Sequence, residues 1–244
     1  DTIPQIAAAY THTFMQLNSF SNEVEAVATG EVPICILYSE VSSIQDPYYQ
    51  QVQADVFEAL FFIGLNTKFV TERNINMTGS SCKVIVVPNT SHVSDETVTT
   101  LESLSLSSLF IFVGNASLKY NYYGDTRPSS MLSWMKKWPL LSPGNPAVLL
   151  ESVEGAIFNK QNSPTRDTRC VVPSTQKSKF GLMCKVGVLE GKTYITVINF
   201  LRTKTSFSVL HGGSVVNTKD ILEDENFTGV IDIDSVAVKL LQIQ

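Results

Sequence analysis

The sequence predicts an α/β fold, a doubly wound parallel sheet followed by a small antiparallel β-sandwich. Three observations carry this reading. Short apolar runs rich in branched residues, at 32–38, 83–87 and 109–113, look like strands buried on both faces. Between them lie stretches with helical periodicity, so strand and helix alternate as in a parallel sheet. From Lys185 onward the pattern changes to apolar and polar residues in alternation, the period of half-buried strands.

In chain order, residues 6–27 carry Ala9, Phe14, Leu17, Phe20, Val24 and Val27 at three- and four-residue steps, the stripe of a helix with one buried face. After the strand at 32–38 comes a polar loop. Asp46 and Pro47 then read as an N-cap and first helical residue, and Gly64 as the C-terminal glycine. Within that helix Val52, Val56, Leu60 and Ile63 form one face, while Phe57, Phe61 and Phe62 exceed what a single sheet-facing stripe uses. Such excess apolar surface lies under another part of the chain or meets a partner. Pro88 closes the strand at 83–87, and Ser94 or Asp95 caps a helix carrying Val98, Leu101 and Leu104. The alternation is that of a flavodoxin-like sheet. Residues 120–146, with Trp134, Trp138 and paired tyrosines, read as a structured excursion from it.

The expected organisation is a linking helix at 1–30, the α/β domain at 31–165, a linker at 166–182 rich in Asn, Ser, Pro, Thr and Arg, and the sandwich at 183–244. In the sandwich, Glu190 and Gly191 form a hairpin turn that puts Tyr194, Thr196 and Ile198 on one face and Ile195, Val197 and Asn199 on the other. An HGG turn follows at 211–213, and Ile231, Ile233, Val236, Val238 and Leu240 supply short strands near the end.

Composition narrows the function. A net charge of −5 with scattered Lys and Arg argues against nucleic acid as a partner. No apolar run reaches the roughly 18–20 residues of a membrane span. A start at Asp1 suggests a mature fragment or a processed chain. Sequons at Asn76, Asn89, Asn115 and Asn226 fall in predicted turns and favour a secreted, glycosylated protein. Cys35 and Cys82, within apolar strands, read as buried thiols, whereas Cys170 and Cys184 flank a polar loop and form a disulfide if the compartment is oxidising.

The order and spacing of several short motifs identify a resemblance. Leu37, Tyr38 and Ser39 end the first strand; Glu58, Ala59 and Leu60 precede the helix end at Gly64 and Leu65; Thr71, Glu72 and Arg73 form the next turn. Val86, Val87 and Pro88 end the third strand, and Val93, Ser94, Asp95 and Glu96 open the following helix. In this order they resemble the trimerisation domain of family 42 glycoside hydrolases, the beta-galactosidase group. The stretches EGKTYITVINF, KDILEDENFTG and VAVKLLQI are similar to the small closing sandwich of the same enzymes. The resemblance covers 31–115 and 183–244. It implies a homo-oligomer, a trimer in particular, and a catalytic TIM barrel in the same or a separate chain. It also implies that both catalytic glutamates lie on that barrel. The helix at 6–27 would then end the barrel, unless it packs on its own domain.

No cofactor, metal or catalytic residue is expected in this chain. The same fold class includes glutamine amidotransferases, whose nucleophilic Cys sits on a turn after a core strand; the corresponding turn here, from Val113 to Ala116, has no thiol. A flavin phosphate loop needs glycine after the first strand, and the stretch from Ser39 to Asp46 has none. The histidines, His12, His92 and His211, are each isolated. Asp232 with Asp234, and Asp224 with Glu225, read as solvent-facing charge rather than as a glycosidase pair. If the chain binds carbohydrate, the candidates are Tyr120, Tyr122, Tyr123, Trp134 and Trp138 for stacking, and His92 in the loop after a parallel strand.

Overall fold

A computed structural model describes residues 11, 15, 18–158 and 168–244. His12, the helical stripe at Ala9, Phe14 and Leu17, and residues 166 and 167 of the expected linker lie outside these residues. The chain forms two compact units: residues 32–166 with 177–180, and residues 1–31 with 167–176 and 181–244.

The first unit is built on a five-stranded sheet in the order β2-β1-β3-β4-β5, formed by β1 (Ile34–Tyr38), β2 (Thr67–Thr71), β3 (Val84–Pro88), β4 (Leu109–Val113) and β5 (Leu140–Leu141). Every pairing is parallel. The central strands lack polar alternation because both faces are covered, and Val84, Val86, Ile111 and Val113 are all fully buried. Helix Tyr49–Phe61 packs Val52, Val56, Ala59 and Leu60 inward, and the turn that follows it contains Gly64, whose φ of 73° is a conformation glycine adopts without a Cβ penalty. Helix Asp95–Leu104 is capped by Ser94, whose hydroxyl accepts from the Thr97 amide at 3.0 Å.

The segment read as a polar loop after β1 is instead a helix, Glu40–Gln45. Ser39 caps it by accepting from the Ser42 amide at 3.1 Å, so the signal was a serine cap in a stretch too short to show periodicity. Asp46 and Pro47 consequently precede the next helix; Asp46 Oδ1 accepts from the Tyr48 amide at 3.0 Å. The excursion at 120–146 folds back on the sheet. Trp134 lies edge-on to Phe110 and Phe112, with centroids at 5.4 and 5.8 Å, and Trp138 packs on Phe110 at 5.9 Å.

In the second unit, β6 (Thr168–Val171) and β13 (Val230–Ile233) pair antiparallel with β9 (Thr205–His211), as does β10 (Ser214–Val215). The other sheet runs β12-β11-β14-β8-β7, from β7 (Leu182–Leu189), β8 (Lys192–Asn199), β11 (Thr218–Asp220), β12 (Glu225–Phe227) and β14 (Val238–Ile243). The expected linker at 166–182 therefore contributes a strand, β6. Glu190 and Gly191, both at positive φ, turn β7 into β8, and Gly212 and Gly213 turn β9 into β10. Ile195, Val197 and Asn199 face inward with Phe207, Val209, Ile231 and Ile233. Val236 departs from the expected strand, lying exposed in a turn at φ 55°. Helix Ser21–Ala28 lies on β7, where a Cβ on Gly187 would stand 2.3 Å from the Ala26 carbonyl. No helix among the described residues is long and apolar enough to cross a membrane.

The disulfide joins Cys35 and Cys82, the two residues read as thiols, with Cα atoms 5.7 Å apart. Both are buried where β1 meets the approach to β3. Cys170 and Cys184, the pair suggested by the sequence, are buried in the sandwich core without a disulfide. Sequence separation could not reveal this, because the pairing follows from strand neighbourhood. The bond closes a 47-residue loop, for which chain entropy gives about 4 kcal/mol of stabilisation. Urea unfolding followed by tryptophan fluorescence should therefore show a lower midpoint for the fully reduced protein than for the oxidised one; coincident curves would remove the disulfide from the account of stability.

Candidate functional site

Doubly wound sheets bind ligands at the carboxyl ends of their strands, most often where the strand order reverses. In this sheet the reversal lies between β1 and β3. The crevice there is occupied by the protein's own hydrogen bonds. Ser39 and Ser42 hydroxyls both donate to the His92 carbonyl at 2.8 Å, and the His92 amide donates to Ser42 Oγ at 2.9 Å. Tyr49, fully buried, accepts from the Ser39 amide at 2.9 Å. Desolvation, with smaller repulsions from Tyr38 and Glu72, pushes its phenol up to about 12, so it stays neutral.

Asp46 Oδ2 accepts from Asn89 Nδ2 at 2.8 Å and from Ser91 Oγ at 3.2 Å. Asn89 Oδ1 in turn accepts from the Ala116 amide at 3.2 Å. Both ends of the Asn89 amide are thus engaged in the fold. Asn76, Asn115 and Asn226 are exposed.

His92 stacks on Tyr120 with centroids 4.8 Å apart, and its Nδ1 lies 2.9 Å from Ser91 Oγ. Burial and the Arg127 cation lower its pKa, against an opposing pull from Asp46. Tyr122 is held by Glu72, whose Oε2 accepts from the Tyr122 hydroxyl at 2.9 Å and from Thr97 Oγ1 at 3.1 Å. Tyr123 is almost fully exposed. Trp134 is buried in the core and Trp138 packs against it, which corrects both as stacking platforms. The six sequence candidates are therefore not assembled into one site.

The open space lies one strand further on. A cleft of about 610 Å³ runs along the carboxyl ends of β3, β4 and β5, lined by Tyr48, Gln51 and Asp55 on one side and Asn115, Leu140 and Ser142 on the other. The Tyr48 ring is 75% exposed. Sequence reading missed this cleft because β5 is only two residues long and its loop carries no motif.

The carboxylates set aside on sequence are not among the residues that line this cleft. Asp232 lies exposed on β13, accepts from Ser206 Oγ at 2.6 Å and pairs with Lys204 at 3.1 Å, contacts that hold its carboxyl below the usual range. Lys219 does the same for Asp224. Such groups stay ionised and are unsuited to donating a proton near neutral pH. Among the described residues no group of three His, Cys, Asp or Glu side chains could hold a metal ion.

No family model matches the sequence, and no curated protein matches it. Solved structures do. An exo-carrageenase of GH42 from Bacteroides ovatus superposes with a TM-score of 0.72 at 18% identity, over 93% of this chain and 31% of that one. A GH42 beta-galactosidase from G. stearothermophilus gives 0.62 at 11% identity, over 87% and 40%. A beta-galactosidase from Bacillus circulans sp. alkalophilus gives 0.58 at 12%, over 88% and 42%. The chain spans less than half the length of each, and its fold is that of a partial region of GH42 enzymes.

The loops at the carboxyl edge are braced by Arg127. Its guanidinium is buried and donates to the carbonyls of Val93, Leu118 and Tyr120, and Nε donates to Asp95 at 2.9 Å. Arg127→Ala should cost about 3 kcal/mol or more, since each orphaned buried carbonyl costs about 1–3 kcal/mol. Arg127→Lys should restore less than half of it, because an ammonium lacks the planar fork. A urea midpoint for Arg127→Ala within error of wild type would refute this bracing role. For His92 the folded pKa lies below the unfolded one, so its contribution to stability is full above about pH 6.5 and is lost as pH falls toward the folded value. His92→Gln should flatten the stability profile in that window.

Proposed function

We propose that this chain is the non-catalytic accessory region of a beta-galactosidase-like glycoside hydrolase, which assembles subunits and shapes the active site of a neighbouring TIM barrel. The observation that carries the proposal is the match over 93% of this chain to 31% of a GH42 enzyme. The strand order 2-1-3-4-5 supports reading the first unit as the flavodoxin-like trimerisation domain. Its crevice at the switch point, filled by serine hydroxyls and the His92 backbone, supports a role other than catalysis.

Assembly is supported by surface aromatics. Phe57, on helix Tyr49–Phe61, and Phe69, on edge strand β2, are 42% and 45% exposed and stack at 5.6 Å. Phe62, counted in the sequence as part of the excess, is instead buried and packs against Phe180 at 4.7 Å. A smaller aromatic patch than expected thus remains for a partner. The favoured assembly is a trimer with heterologous contacts around a threefold axis.

A second reading is a stand-alone secreted carbohydrate-binding or structural glycoprotein derived from such an enzyme. The Cys35–Cys82 disulfide and the exposed sequons at Asn76, Asn115 and Asn226 support secretion under either reading.

Two measurements test the proposal. Sedimentation equilibrium of the protein should give an oligomer at micromolar concentration, and Phe57→Ser with Phe69→Ser should shift it to monomer. A strictly monomeric wild type would reject assembly through this chain. On a panel of chromogenic galactosides the chain alone should give no turnover; turnover that disappears with Asp232→Asn would overturn the accessory reading.

A further inference from the structure

We infer that the cleft between helix Tyr49–Phe61 and the segment from Leu140 to Gly144 binds a neutral carbohydrate, with the Tyr48 ring as its stacking surface. The chemistry of the lining selects this class. At about 610 Å³ the cleft has the size of a small-molecule site. Its uncharged polar groups include the amides of Gln51 and Asn115 and the hydroxyl of Ser142, which both donate and accept as sugar hydroxyls require. Tyr48 offers a largely exposed ring, and Leu140 adds a second exposed apolar surface. Flat apolar surface beside amides suits the apolar face and hydroxyl rim of a pyranose.

The same lining disfavours anions. Among the described residues that line the cleft none is Lys, Arg or His, and Asp55 places a carboxylate there, held by Gln51 Nε2 at 2.8 Å. A phosphate or sulfate ester would meet negative charge with no cation to compensate. Asn89 at the back of the cleft is committed at both ends of its amide, so the floor is fixed before any ligand arrives.

This site is an addition to the accessory reading and is tested apart from it. The chain, expressed without N-glycans so that Asn115 is bare, is titrated with β-1,4-galactotetraose and with a sulfated carrageenan tetrasaccharide, following protein amide shifts by NMR. The expected result is saturable binding of the neutral sugar, with shifts at Gln51, Asn115 and Ser142, and no saturable binding of the sulfated one. Tyr48→Ala should weaken binding about tenfold, Tyr48→Phe should retain it, and Tyr123→Ala, outside the cleft, should leave it unchanged. The inference is overturned if galactotetraose does not bind, if Tyr48→Ala binds as well as wild type, or if the sulfated sugar binds equally. None of these outcomes bears on the oligomeric state or on turnover.

Discussion

A single amide pins the carboxyl edge of the α/β unit. Asn89 leaves β3 at φ 44°, a left-handed conformation that Asn tolerates better than most residues. From there its Nδ2 reaches Asp46, at the end of the short helix that follows β1, and its Oδ1 reaches the loop after β4 at Ala116. Gly114 is required beside it, because a Cβ there would lie 2.4 Å from Asn89 Oδ1, at a backbone φ of 90°. Three connections that follow three different strands are thus fixed to one another by one side chain. What the edge can bind is decided by where that amide closes space and where it leaves it open.

Closure falls on the switch point and openness on the next strand pair. Serine hydroxyls are small enough to hydrogen-bond backbone across the β1 and β3 loops, and doing so removes the donors a ligand would have used there. Beyond Asn89 the short β5 leaves its loop standing clear of helix Tyr49–Phe61.

The central strands of the α/β unit were legible in the sequence because both-sided burial imposes continuous apolar runs, as in 84–88 and 109–113. Turns that need positive φ, at Gly64, Gly191 and Gly213, were legible for the same kind of reason: backbone geometry restricts the residue. Helix Glu40–Gln45 was not, since a helix of under two turns has no period to read and its polar composition follows from the hydroxyls it directs at His92. Trp134 and Trp138 misled because an aromatic in an irregular segment has the same sequence signature whether it faces solvent or caps a core. Cysteine pairing was hidden by sheet order, which only tertiary structure supplies. Tyr48 carried no signal at all; it stands just before helix Tyr49–Phe61, with its amide held by Asp46 and its side chain exposed.

Gly187 has an effect that reaches beyond packing. By admitting the backbone of Ala26 against β7, it makes the start of the chain and its final third parts of one body, with the α/β unit encoded as an insertion between them. The helix Ser21–Ala28 is synthesised long before the strand that covers it, and the entire parallel sheet emerges in the interval. Its apolar face at Val24 and Val27 has no partner within its own unit until the sandwich follows, so this body closes only after the whole parallel sheet has been made.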